Sequence, residues 1–549
     1  MYHRLFLFCF LAIGSVHAEV KLATVFSDHA ILQRDHALPI WGTAKPGETV
    51  TVTFGGQTQK TTASADGSWR VTLPSLPASA ESRTLTAQGE NRVELQDILV
   101  GDVWLASGQS NMGSPMSSGA SAAELPQAND PALRFFSVTK ATAPEPQPDL
   151  KGKWEVTTPV TAKNFSAVAY YFAKELRETQ KIPIGILHSS WGGTPIQTWM
   201  SLESLRRDPP VAKTVADWDQ AYAQHLAVKD KPELMQAYRA DMKDWETTVG
   251  PQLKAAISAH NELMAAARAA GQPTTPGPQP TRPEPVMPDP TALPAPSKRP
   301  STPTVSYNAV IAPLAPYALK GILWYQGEAD GSHGAEYRTL FPRLIEGWRK
   351  AWNQDDLPFI FVQLPSCYPD PKPVADSGWP FLREAQSLAL QIPHTAMVVT
   401  LDIGDPNNVH PDDKIFVGHR VALLGRKLAY GEKLVASGPL YHDYAVEGDK
   451  IRVRFSEAED GLVIGLAPWR PVGVEPLPTD RLAGFYIAGP DKQWVEADAR
   501  IDGASVVVSS SKITQPTAVR YGWAQSPKVN LYNQAGLPAA PFRTDDWPK

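Results

Sequence analysis

The stretch Val103-Trp104-Leu105-Ala106-Ser107-Gly108-Gln109-Ser110-Asn111-Met112 opens on an apolar run and closes on a polar turn built around a glycine. A short apolar run bounded in this way reads as a strand buried on both faces, the habit of parallel sheets. Similar runs recur at 184–188, 321–325, 359–364 and 396–402. Helical patterns alternate with them at 167–177, 336–352, 382–391 and 412–430. The alternation predicts βαβ units and an α/β fold whose parallel sheet is covered on both faces. Sheets of this kind bind ligands beyond the carboxyl ends of their strands, so the residues just after each strand are the candidate site.

Outside this core the rhythm changes. From 19 to 97 short alternating segments such as Thr49-Val50-Thr51-Val52-Thr53-Phe54 and Ser68-Trp69-Arg70-Val71-Thr72-Leu73 are separated by glycine turns, which predicts a small N-terminal β-sandwich. The α/β domain then runs in two parts, 98–203 and 304–431. Between them, 204–303 reads as an insertion: helix- and Ala-rich to about 270, then dense in proline as an extended, semi-rigid connector. A spacer, a lid and a docking arm all fit it. From 432 to 549 the chain is β-rich again, with Lys450-Ile451-Arg452-Val453-Arg454-Phe455 alternating clearly.

At 549 residues the chain exceeds the roughly 100–200 of one domain several-fold. The net charge of −5 and the absence of a basic stripe exclude nucleic acid as a partner class. The N-terminus is short and basic through Arg4, then apolar from Leu5 to Ile13, then Val16-His17-Ala18. This is the pattern of a signal peptide over 1–18, cleaved after Ala18, and predicts a periplasmic or secreted protein with no membrane association afterwards. The apolar run is too short for a bilayer-spanning helix, which needs roughly 20 residues. Cys9 lies in that leader, so the mature chain keeps Cys367 alone and forms no internal disulfide. Cys367 reads as a small buried hydrophobe, and no Cys/His group has zinc spacing.

Four strand-end loops carry polar groups. Ser110 sits where a strand turns into a helix, a place where a hydroxyl is exposed and backbone N–H groups can hold an oxyanion; a helix cap is the plainer role for such a serine. After 184–188 come Gly192 and Gly193, whose N–H groups can approach a ligand closely or simply form a turn. After 321–325 come Gln326, a possible oxyanion donor, and Glu328, which suits orienting a neighbour or capping a helix. After 396–402 comes His410, with Asp402 and Asp405 nearby. A base beside the serine needs its tautomer held by an acid or a carbonyl.

These blocks resemble the sialate O-acetylesterase family of the SGNH hydrolase superfamily. The resemblance runs from Gly101-Asp102-Val103-Trp104 through Met112. It continues in Ser190-Trp191-Gly192-Gly193-Thr194, Trp324-Tyr325-Gln326-Gly327-Glu328, Arg383-Glu384-Ala385-Gln386, 407–411, Asn530-Leu531-Tyr532-Asn533 and Pro541-Phe542-Arg543-Thr544-Asp545. It implies an SGNH-type, flavodoxin-like catalytic domain. Ser110 is then the nucleophile and His410 the base, with an oxyanion hole from the N–H of Ser110, an N–H of Gly192 or Gly193, and the Gln326 side chain. Many superfamily members carry Asp three residues before the catalytic His, where this chain has Asn407. Asp405 is the favoured acid because Pro406 bends the chain. Asp402, Glu328 and a dyad held by a backbone carbonyl are the alternatives. The chemistry needs no metal and no cofactor. The implied substrate is an O-acetylated glycan. Extra β-domains, a leader and 16 Trp residues point to a plant cell-wall polysaccharide such as xyloglucan or xylan. O-acetyl sialic acid is the alternative, as are a lipase or arylesterase and a non-catalytic carbohydrate-binding protein on an esterase scaffold.

Overall fold

Strand β1, Arg92–Gly108, is the axis of the computed structural model, which describes residues 19–207, 209, 211–269, 275–295, 298–368, 374, 378–468, 477 and 479–547. The expected leader at 1–18 lies outside the described residues. The first half of β1 pairs antiparallel with Ser79–Gln88 in the N-terminal β-region. Its second half enters the central sheet. The strand changes direction at Asp97, whose φ is +58°. His29 Nδ1 and Arg134 hold the Asp97 carboxylate at 2.8 and 2.9 Å. The boundary expected between 97 and 98 therefore falls inside a continuous strand, not in a linker.

The central sheet adds β2 (Asp130–Val138), β3 (Gly152–Thr157), β4 (Ile184–Ser190), β5 (Gly321–Tyr325), β6 (Phe359–Val362) and β7 (Thr395–Val398). Its order is β3-β2-β4-β1-β5-β6-β7. All neighbours are parallel except β3, which returns antiparallel on β2. The sheet is thus mixed rather than wholly parallel. The hairpin β2–β3 carries no long apolar run to announce it.

Both faces of β1 are covered, as its apolar sequence requires. Trp104 and Ala106 join a core with Phe172 of α2 (Ala167–Gln180) and Val421 of α5 (Ile415–Tyr430). Val103 and Leu105 join the opposite core with Phe341 and Trp348 of α3 (Gly334–Trp352) and Leu382 of α4 (Gly378–Leu388). Each of the larger of these side chains contributes roughly 1.5–3 kcal/mol by leaving water. The period-2 split along β1 fixes its register, because a one-residue slip would exchange the two faces.

The insertion forms helices Ala212–Val228, Pro232–Thr248 and Gly250–Ala269. Its Pro-rich return brings Leu293, Pro294, Ala295 and Arg299 to the strand-end face of the sheet. After α5 the strands Leu440–Glu447, Lys450–Ser456, Asp498–Asp502 and Ser505–Ser509 build one antiparallel sheet. The tail is tied back to the α/β region by Arg543, whose Nε lies 2.6 Å from Glu384 of α4. Cys367 is buried, and burial pushes its thiol up to about 11. Among the described residues no helix is long and apolar enough to cross a membrane.

Candidate active site

Three strands end level. Ser190 of β4 and Tyr325 of β5 both stand opposite Gly108 of β1, so the loops that follow them meet at one edge. The turn out of β1 needs glycine. Gly108 has φ +131°, and a Cβ there would lie 2.1 Å from the Tyr325 carbonyl oxygen. Gln109 N–H donates to that carbonyl at 2.9 Å. A one-turn helix, α1 (Ser110–Gly113), follows without a side-chain cap. The Ser110 hydroxyl is therefore not used as a helix cap. It hydrogen-bonds His410 Nε2 at 2.8 Å, across 300 residues of chain.

His410 does not cap α5 either. That helix begins at Ile415, and Asp413 Oδ1 accepts from the N–H of Ile415 and Phe416 at 2.9 and 3.1 Å. The imidazole is held below its ordinary pKa, first by burial and then by the positive charge of Lys414. A neutral ring with Nε2 facing a serine hydroxyl is the protonation state a general base needs.

Trp191 N–H donates to the Gly108 carbonyl at 3.0 Å and brings the next residue, Gly192, against the serine. A Cβ on Gly192 would lie 3.0 Å from Ser110 Cβ. Among the described residues the N–H groups of Ser110 and Gly192 have no acceptor. Both are thus available to an oxyanion. The surrounding cleft has a volume of about 960 Å³ and is lined by Ser110, His410, Trp191, His188, Lys140 and Arg299, among others. His188 donates to or accepts from Ser190 Oγ at 2.9 Å, and burial, aided by Lys140, holds its pKa down at about 4.

Gln326 does not join this edge. Its side chain is fully buried. The amide nitrogen donates to Asp330 at 2.5 Å and to the Thr194 carbonyl at 3.1 Å, and its oxygen accepts from Tyr337 OH at 3.1 Å. Both amide hydrogens are spent, so the expected oxyanion donor is a structural cross-link. The expected acids are corrected too. Asp405 accepts from the Asn407 N–H at 2.8 Å. Pro406 bends the chain as expected, but the turn closes on that amide and not on His410. Asp402 is sealed in a bidentate pair with Arg420 at 2.7 and 2.6 Å and accepts from Tyr532 OH at 3.1 Å. Glu328 accepts from Asn111 Nδ2, and burial raises its pKa. Among the described residues no carboxylate hydrogen-bonds the His410 ring.

The profile of the carbohydrate esterase, sialic acid-specific acetylesterase family matches residues 100–231 and 303–429. The sialate O-acetylesterase of Rattus norvegicus is 31% identical over 460 residues, covering 76% of each chain. The chain belongs to the sialate O-acetylesterase family. The Homo sapiens sialate O-acetylesterase is 29% identical over 569 residues, covering 95% of this chain and 92% of its own. A solved carbohydrate acetylesterase from Xanthomonas citri superposes with a TM-score of 0.75 at 34% identity, covering 96% of this chain and all of its own. This esterase is accordingly a carboxylic ester hydrolase.

Two of the esterase's site residues escaped the sequence reading. Asn111 lies inside the nucleophile turn, and Lys414 follows the loop that bears His410. The available signal was chemical: a lone lysine between an acidic pair, Asp412 and Asp413, and the apolar start of α5. Lys414 is buried, and burial lowers its pKa to about 8 against the opposing pull of Glu328.

Proposed function

We propose that this chain is a periplasmic or secreted serine O-acetylesterase that removes acetyl groups from O-acetylated glycans, with plant cell-wall polysaccharide such as xyloglucan or xylan as its substrate. The observation that carries the reading is the 2.8 Å hydrogen bond between Ser110 Oγ and His410 Nε2, beside the N–H groups of Ser110 and Gly192, which have no acceptor among the described residues. The strand order β4-β1-β5-β6-β7 supports an SGNH-type, flavodoxin-like reading of the catalytic domain, because it reproduces the 2-1-3-4-5 order of that fold.

His410 takes the Ser110 proton as Oγ attacks the acetyl carbonyl. The tetrahedral oxyanion is held by the N–H groups of Ser110 and Gly192. Protonated His410 then gives its proton to the departing sugar oxygen, leaving acetyl-Ser110 and a free sugar hydroxyl. Water, deprotonated by His410, attacks the acetyl group in the same geometry and releases acetate. A pocket-free binding surface would have no use for a hydroxyl already aligned with a base, which argues against the non-catalytic reading.

An O-acetyl sialic acid is the second reading, and Lys140 and Arg299 favour it. Both cations line the cleft, from the end of β2 and from the insertion. A carboxylate-bearing sugar would gain from them and a neutral glycan would not. Acetate release from acetylated xyloglucan, acetylated xylan and O-acetyl sialic acid, each with parent and Ser110→Ala, tests both. Ser110→Ala should abolish release from whichever the parent accepts. Undiminished turnover by Ser110→Ala would overturn the assignment.

A further inference from the structure

His410 is gripped through its backbone on both sides. The Val409 carbonyl accepts from Asn111 Nδ2 at 2.9 Å, and the Pro411 carbonyl accepts from Lys414 Nζ at 2.8 Å. The same ammonium donates to Asn111 Oδ1 at 2.7 Å. Asn111 is the residue after Ser110, so the nucleophile's own neighbour reaches the base's loop. The second Asn111 amide hydrogen goes to buried Glu328, which closes the chain Glu328–Asn111–Lys414. The N–H of His410 itself donates to Asn408 Oδ1 at 2.9 Å.

We propose that Lys414, acting with Asn111, is the positioning unit that seats the His410 imidazole on the Ser110 hydroxyl, in place of a carboxylate hydrogen-bonded to the ring. Three observations carry this. Each of the carboxylates Asp402, Asp405 and Glu328 has another partner, and none hydrogen-bonds the His410 ring. The Lys414 ammonium is buried, a costly placement that persists where donors and charges are satisfied. Its two hydrogen bonds end on the nucleophile's neighbour and on the base's neighbour, so it sets the distance between the two loops.

The charge has a second effect. The groups facing Lys414 are Asn111, the carboxylates of Glu328, Asp412 and Asp413, and the Tyr325 ring at 5.9 Å. The groups facing His410 are the Ser110 hydroxyl and the Lys414 ammonium. The ammonium therefore disfavours a second positive charge on the imidazole and keeps the base in its working form.

The inference rests on the Ser110–His410 reading, and Lys414→Met in the full chain tests it. A displacement of about 1 Å of reacting groups typically costs on the order of 10² in rate. The expected result with p-nitrophenyl acetate is a kcat lower by roughly 10²-fold at little changed KM, with the acidic limb of kcat/KM moved to higher pH. Asn111→Ala should lower kcat as well but leave the limb in place, because the ammonium remains. Folded Lys414→Met with parental kcat, or with a limb that does not move, overturns the proposal. Should Lys414→Met fail to fold, Asn111→Ala decides by its kcat at unchanged KM. The His410 titration followed by NMR in parent and variant reads the same shift without substrate. An inactive parent whose His410 titration still moves in Lys414→Met would thus fail the esterase reading and not the positioning one.

Discussion

Replacing Gly192 by alanine probes the oxyanion hole with one methyl group. The backbone of Gly192 lies outside the left-handed region, so alanine meets no strain of its own. The added Cβ would lie 3.0 Å from Ser110 Cβ, where ordinary contact begins at 3.4 Å. Neither neighbour is a flexible tip, so the Gly192 loop or the Ser110 turn must retreat by a few tenths of an ångström. Oxyanion donors act within roughly 2.7–3.1 Å, and complete loss of one costs about 10²–10³ in kcat. A partial retreat should cost about 10–100-fold, or roughly 1.4–2.7 kcal/mol of transition-state stabilisation. Steady-state hydrolysis of p-nitrophenyl acetate, beside a thermal melt, measures both halves: kcat falls and Tm stays near the parent. Gly193→Ala is the contrasting control. Gly193 has φ +75°, and its Cβ would meet the Arg299 side chain, nearest at Cγ, 3.2 Å away. That variant should lose about 1–2 kcal/mol of stability through backbone strain. Parental kcat in a folded Gly192→Ala enzyme would refute the oxyanion hole drawn from Ser110 and Gly192.

Gln326→Leu should destabilise more than it slows: it strips partners from buried Asp330 and the Thr194 carbonyl, at about 1–3 kcal/mol for each group left unsatisfied, read by denaturant titration. A stable variant with kcat down a hundredfold would return Gln326 to the oxyanion hole. Asp402→Asn should cost about 3–5 kcal/mol of stability by uncoupling Arg420, whereas Asp405→Asn should keep kcat within a few-fold of the parent. A thousandfold loss in Asp405→Asn would reinstate it as the acid. Activity requires neutral His410, whose pKa is lowered by burial and then by Lys414. The acidic limb of kcat/KM should therefore lie below the ordinary imidazole value of about 6.5, and a limb above 7 would contradict this environment.

The meeting of Ser110 and His410 was legible because each follows an apolar run, and a parallel sheet brings the carboxyl ends of its strands to one edge. The orientation of short side chains was not legible. Whether Asp405 turns to His410 or to the Asn407 amide depends on the closing of a local turn, which the bend at Pro406 does not decide. Asp402 was ambiguous because its partner, Arg420, lies 18 residues on, inside an otherwise apolar helix face. Gln326 misled for a different reason. A polar residue at the end of a buried strand suits an oxyanion donor, but Asp330 and Tyr337 claim its whole hydrogen-bonding capacity. The insertion read as spacer, lid or arm, and only the folded path brings Leu293 and Arg299 to the cleft.

The unbroken run of β1 has a consequence for the nucleophile. Here the N-terminal sheet and the catalytic sheet share the hydrogen-bond ladder of one 17-residue strand, and Ser110 stands two residues past its end. A displacement of the N-terminal sheet is thus passed along the same backbone that positions Ser110. A chain begun at residue 98 would lose the first six residues of that strand, together with the ladder partners that Ile98 to Gly101 find in the N-terminal region.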